Sequence, residues 1–288
     1  MSVLRSGSGH SVSSWRSDGE RLDSAVLIAQ LSDLHIRPAG TLYHGVTDSN
    51  QALADAIEHV LGVDRRPDLV LLTGDLVDEG RPEEYQTLRH ILTSLTIPHL
   101  VIPGNHDDRE NLRAAFSDHP YLPRSGPLHF CVDDHPVRII GLDSTVPGDH
   151  HGHIDRNGLE WLGDALASDT NKPTIVMLHH PPVRSGISYM DEYRYFDGAE
   201  LCSVIERFDN VEIVLCGHVH RPMMRRWANT VLCTSPSTAT QIDLALTRTE
   251  PSSHAGPRGY MLHLWNPDDG LISHLCHIGD EDGPYPFA

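Results

Sequence analysis

Asn105 and His106 follow a glycine at the end of the apolar run "HLVIPG", and four other apolar runs end in a similar way. After "VLIAQLS" come Asp33 and His35, and after "LVLLTG" comes Asp75. "TIVMLH" closes on the pair His179-His180, and "EIVLCG" leads into His218 and His220. A single Gly-Asp or Gly-Asn after a strand is ordinarily a turn, and a single His-x-His pair is ordinarily surface. Five such coincidences, each at a strand end, point to one shared metal site. The functional crevice of an open α/β sheet lies outside the carboxyl ends of its strands.

The spacing suits two ions. Residues i and i+2 of an extended segment face the same way, so Asp33 with His35, and His218 with His220, can each present both groups to one pocket. Asp75 can bridge through its two oxygens, and ions about 3.5–4 Å apart form the clamp used in phosphoryl displacement. The expected grouping assigns Asp33, His35, Asp75 and His220 to one ion, and Asp75, Asn105, His179 and His218 to the other. Two carboxylates leave a surplus of positive charge on two divalent ions, enough to bind a phosphate oxygen and hold a water as hydroxide. A mixed oxygen and nitrogen donor set without thiolate suits Mn, Fe, Zn or Co.

The elements that must position these groups are legible as alternating patterns. Strands are expected at 26–32, 69–74, 98–103, 137–142, 174–178 and 211–216, and helices at 49–62, 82–95, 109–116, 157–168 and 198–208. Near-continuous apolar strands between helices imply a mostly parallel sheet covered on both faces. Short runs after about residue 228 ("NTVLCTS", "GYMLHLW", "LISHLCHI") suggest a second, more antiparallel sheet. Residues 1–24 are rich in Ser, Gly and Arg with no apolar stretch of signal-peptide type, and are expected to form a disordered tail. Residues 25–288 are expected to form a single domain.

Composition narrows the function. With 288 residues, 39% hydrophobic and 22% charged, the chain is an ordinary globular protein. Its net charge of −18 argues against nucleic acid polymers and anionic membranes as partners. A small anionic substrate then needs local positive charge, most simply a metal. Five cysteines at wide spacing, with no CxxC pair, fit free thiols in a reducing, cytoplasmic compartment.

The blocks "DLH" (33–35), "GDLVDEG" (74–80), "GNHDD" (104–108), "HH" (179–180) and "GHVH" (217–220) together resemble the calcineurin-like metallophosphoesterases. The resemblance implies a four-layer αββα sandwich of two mixed β-sheets, with a dinuclear metal site at the strand C-terminal rim and the same ligand grouping. Within that family the chain is similar to bacterial class III cyclic-nucleotide phosphodiesterases and to glycerophosphodiesterases. "GRPEEYQ" looks like the second type and "LDSTVPGDHHGHID" like the first. The implied activity is hydrolysis of a small phosphodiester, a 3′,5′-cyclic nucleotide or a glycerophosphodiester, by attack of a metal-activated hydroxide. A homo-oligomer is implied on the same ground.

His106, beside the ligand Asn105, is expected to face the phosphoryl and leaving oxygens as general acid. Asp78 is, by family analogy, its positioning partner. Asp107 and Asp108 are expected to cap the helix that begins near Arg109. Substrate contacts are expected from Asn105, His106, Thr240 and His151, the last from the loop 148–155. Thr240 stands where the glycerophosphodiesterase type has a histidine. Glu79 stands where protein phosphatases of the family carry the arginine that grips a dianionic monoester, which favours diesters. The alternatives are a non-catalytic scaffold on the same fold, or a phosphomonoesterase or nuclease. The filled ligand blocks speak against the first, and Glu79 and the net charge against the second.

Overall fold

The computed structural model describes residues 25–279 and Tyr285, so the expected tail at 1–24 lies outside the described residues. Two sheets carry the chain. The first has the order β13-β12-β1-β2-β3, built from β1 (Val26–Leu31), β2 (Leu69–Thr73), β3 (His99–Ile102), β12 (Arg258–Asn266) and β13 (Gly270–Ile278). The second has the order β4-β5-β6-β7-β9-β8. It contains β4 (Phe130–Val132), β5 (Arg138–Leu142), β6 (Thr174–Leu178), β7 (Val211–Cys216), β8 (Met223–Trp227) and β9 (Thr230–Thr234). A separate ribbon pairs β10 (Gln241–Ile242) with β11 (Ser253–His254).

Every residue of β1, β2, β5 and β6 is buried, which explains their unbroken apolar sequences. The two mixed sheets are those the family resemblance implied, and the mostly parallel sheet expected from the apolar pattern is divided between them. Each sheet meets the other on one face and helices on its opposite face, and an apolar run does not reveal which partner covers it. One core cluster joins Ile28, Val70 and Val101 of the first sheet to Ile139, Ile175 and Ile213 of the second. Leu53, Ile57 and Val60 of α1 (Ser49–Leu61) and Leu88 of α2 (Pro82–Leu92) join that cluster. On the far side, Leu162 and Leu166 of α4 (Arg156–Ala167) and Leu201 of α6 (Gly198–Ile205) pack with Val176 and Val214 of the second sheet. The layers are therefore α, β, β, α.

The strands after residue 228 do not form a sheet of their own. β9 pairs in parallel with β7, while the β12-β13 hairpin adds antiparallel to β1, from Val26↔Trp265 to Gln30↔Met261. β12 buries Tyr260 and Met261 in the core, so it covers an edge that β1 would otherwise expose. Helix boundaries follow local chemistry. Asp48 caps α1 by accepting from Gln51 N at 3.0 Å, and Asp155 caps α4 through Gly158 N at 2.8 Å. α2 starts with Pro82 and ends at Leu92 rather than at 95, because Thr93, Ser94 and Leu95 continue as i→i−3 turns. No helix among the described residues is long and apolar enough to cross a membrane.

Candidate metal centre

The rims of both sheets meet where β1, β2, β3, β6 and β7 end, and the seven expected metal ligands meet there too. Five of them hold left-handed backbone: Asp33 (φ 54°), His35 (46°), Asp75 (48°), His218 (70°) and His220 (50°). Such angles are uncommon outside glycine and mark a site whose surroundings enforce them. The glycines of the motifs admit close neighbours. Gly74 has φ +91°, and a Cβ on it would collide with the Nδ1 edge of His179, 2.7 Å from its Cγ. A Cβ on Gly104 would lie 2.9 Å from the Asp75 carboxyl carbon.

Backbone groups aim the donors. Asp75 Oδ1 accepts from His106 N at 2.9 Å, which leaves Oδ2 between His35 Nε2 at 3.8 Å and His179 Nε2 at 3.2 Å. These two imidazoles belong to different expected groups, and Asp75 lies between them. Asp33 accepts from His218 N at 2.9 Å and turns Oδ1 to His220 Nε2 at 3.4 Å. His179 Nδ1 donates to Thr73 O and His220 Nδ1 to Thr240 O, each at 2.8 Å. Both rings thereby turn Nε2 toward the carboxylates. Asn105 Oδ1 lies 3.0 Å from His218 Nδ1.

The fit to metal ions rests on what these atoms lack. His179 Nε2 and His218 Nε2 are buried with no hydrogen-bond partner among the described residues, although buried polar atoms nearly always have one. One donor atom each from Asp33, His35, Asp75 and His220 lies within 4.8 Å of the others. Burial pushes His35 down to about 4 and His218 to about 3, so both resist protonation and stay available as ligands. Burial disfavours charge on Asp33 and Asp75, yet His220 beside Asp33 and His179 beside Asp75 hold both below the usual carboxylate range. His180 sits in the same cluster, but both its ring nitrogens are engaged, with Ser144 Oγ at 2.9 Å and His150 O at 3.2 Å. The donor set fits two divalent ions.

The cluster floors a cavity of 480 Å³. His106 and Thr240 line it. His106 Nδ1 donates to the Asp78 carbonyl at 2.7 Å, while the Asp78 carboxylate is farther, at 3.5 Å, and pairs with Arg37 at 2.6 Å. Asp78 therefore anchors His106 mainly through its backbone. Burial opposes charge on His106, but Asp75 and Asp78 outweigh it and raise the ring to about 10.

Three expectations are corrected. His151 does not line the cavity; its ring pairs with Asp149 at 2.8 Å, and His150 takes the wall position, 3.1 Å from Asn105 Nδ2. Asp107 does not cap α3 (Arg109–Ala115), a task that Asp108 performs alone through Glu110 N and Asn111 N. Asp107 turns inward to accept from Leu76 N, Gly104 N and Tyr85 Oη. Glu79 does not face the cavity; it is neutralised by Arg37 at 2.8 Å and by Arg81. Sequence reasoning passed over Tyr43, whose ring stacks on His35 at 4.5 Å and 16°. Its one signal is the turn "LYHG". The stretch "YMDEYRYF" places Tyr189 and Tyr193 in the cavity wall, around the short α5 (Ser188–Glu192).

An αββα frame with an Asp, His and Asn cluster at the joint rim of its sheets is the architecture of metal-dependent phosphoesterases. Residues 26–222 match the calcineurin-like phosphoesterase family, and the chain belongs to it. It is 34% identical over 268 residues to a glycerophosphodiester phosphodiesterase of Enterobacter lignolyticus, covering 91% of this chain and 95% of that one. It is 32% identical over 260 residues to a cAMP/cGMP dual specificity phosphodiesterase of Mycobacterium tuberculosis, covering 88% and 80%. A dimetal phosphatase from Danio rerio shares the fold with TM-score 0.59 at 14% identity, covering 88% of this chain and 99% of that one.

Proposed function

We propose that this protein hydrolyses small phosphodiesters, of the cyclic-nucleotide or glycerophosphodiester class, with Asp33, His35, Asp75 and His220 holding one divalent ion and Asp75, Asn105, His179 and His218 the other. The observation that carries the reading is the position of Asp75 Oδ2 between His35 and His179, with unpartnered imidazole nitrogens around it. The ions, Mn or Fe with Zn or Co as alternatives, would supply Lewis acidity to the phosphoryl group and a nucleophile at neutral pH. His106, fixed through Nδ1, presents Nε2 to the cavity and gives its proton to the departing oxygen. Asp78 positions that ring through its carbonyl. Thr240 and His150 are the wall residues that touch the substituents on phosphorus.

A charge argument supports diesters over monoesters. Arg248 is the one guanidinium among the described residues lining the cavity, and Asp243 pairs with it. Among the described residues, no unpaired guanidinium or ammonium of the cavity lining then remains to grip the second charge of a monoester. The net charge of −18 supports a small substrate over a polyanion, and the free thiols of Cys131, Cys202, Cys216 and Cys233 support a reducing, cytoplasmic setting. The homo-oligomer belongs to this reading through the family resemblance. The test is kcat/KM of the manganese-loaded enzyme on 3′,5′-cyclic AMP and on a glycerophosphodiester, with a chelator control. Chelator-sensitive turnover of either is expected; none on both, with the ions bound, overturns the reading.

A further inference from the structure

A second cavity, of 330 Å³, lies between α6, β8 and the segment that follows β6. Three guanidiniums line it: Arg184 after β6, Arg194 between α5 and α6, and Arg225 on β8. Trp227 lies two residues along the same strand face, and Asp197 is the one carboxylate in the lining. Arg194 is held by the Asp191 carbonyl at 2.5 Å and lies over the Phe196 ring at 5.0 Å. Among the described residues, the side chains of Arg184 and Arg225 make no ion pair and no hydrogen bond. Elsewhere in this acidic chain Arg37, Arg89, Arg109, Arg138 and Arg258 each face a carboxylate.

Three cations around one cavity with a single carboxylate repel one another, and a bound anion relieves that repulsion. Guanidinium forks match phosphate oxygens in geometry as well as charge. We infer that this cavity is a second anion site, taking the dianion of a small phosphomonoester. Three guanidiniums less one carboxylate complement its two negative charges. Phosphomonoesters are the product class that phosphodiester hydrolysis releases, so the choice of monoester rests on the proposed activity, whereas the charge match does not. Tyr193 lines the first cavity and Arg194 the second, so the ligand sits one residue from the wall of the metal centre's cavity.

Phenyl phosphate titrated into the metal-loaded protein tests this, followed by tryptophan emission. No tryptophan among the described residues lines the metal cavity, and Trp227→Phe checks that the signal arises at the second site. A saturable change is expected, weaker for benzenesulfonate, which has the same ring with one charge. Arg184→Gln with Arg225→Gln should weaken binding by at least about tenfold while leaving hydrolysis of a chromogenic diester intact. No saturable change, or equal affinity in the double variant, overturns the site. Arginine-dependent binding in a protein that fails to hydrolyse diesters would uphold the site and sink the activity instead.

Discussion

His106→Ala separates the proton donor from the ion-binding floor. The ring contributes one anchored contact, Nδ1 to the Asp78 carbonyl at 2.7 Å. The bond that orders Asp75 comes from the His106 backbone N–H at 2.9 Å and survives the substitution. Both ions should therefore stay, and elemental analysis checks that. A positioned general acid contributes about 10²–10⁴ in rate, or about 2.7–5.5 kcal/mol of transition-state stabilisation. That contribution matters only where the leaving oxygen needs a proton. The variant should lose about 10²–10⁴ in kcat on 3′,5′-cyclic AMP, whose leaving group is an alkoxide. On bis(p-nitrophenyl) phosphate, whose phenolate departs unaided, the loss should stay below about tenfold. Equal losses on both substrates, with full metal content, would refute proton donation and leave His106 an electrostatic or structural role.

Asn105→Ala removes the amide 3.0 Å from His218 and should halve the metal content by emptying the second position; two ions per chain by elemental analysis would count against that assignment. Asp107→Ala strips partners from Leu76 N at 3.0 Å, Gly104 N at 2.9 Å and Tyr85 Oη at 2.8 Å. It should destabilise the fold by about 2–4 kcal/mol in denaturant titration, and a change under about 0.5 kcal/mol would show that the turn tolerates its loss. His263, hydrogen-bonded to Gln30 and Ser273, is held down to about 3 by burial, with His274 adding to it. Its unfolded pKa is about 6.5, so between about pH 6.5 and 3 the unfolded chain binds a proton that the folded chain refuses. Stability should fall by up to about 1.4 kcal/mol per pH unit on acidification through that window, and His263→Gln should flatten this slope; an unchanged slope would exclude the residue.

The sequence made the site more legible than the sheets. Donors recurring at strand ends announce themselves because a carboxylate or imidazole there is costly without a ligand. The destination of a strand is set by long-range pairing that no local pattern encodes. β12 shows the same mix of buried and half-buried positions whether it starts a new sheet or, as here, pairs with β1 across more than 200 residues. Side-chain direction within a motif was equally hidden. Asp107 and Asp108 are adjacent and chemically identical, yet one turns inward to three donors and the other caps a helix. His150 and His151 differ only in which neighbour each can reach, and Asp149 takes the second. Glu79 occupies a substrate-facing position of the motif, yet Arg37, some forty residues earlier in the chain, pairs with it.

The five left-handed ligands carry one more consequence. Each such residue costs on the order of 1–3 kcal/mol, so Asp33, His35, Asp75, His218 and His220 together store on the order of 5 kcal/mol or more. The unpartnered nitrogens of His179 and His218 add to that cost. Ions that bind only the folded chain repay it: each contributes about 4 kcal/mol at a thousandfold excess over its dissociation constant. Two such ions should raise Tm by at least about 10 °C over the chelator-treated protein, measured calorimetrically at matched pH and salt. Asn105, whose backbone is not left-handed, permits a control. Asn105→Ala should keep the share of that rise due to the first ion, because its grouping omits the amide. If loading confirmed by elemental analysis leaves Tm unchanged in the parent protein, the strained backbone is stable without ions and the coupling argued from these five residues is wrong.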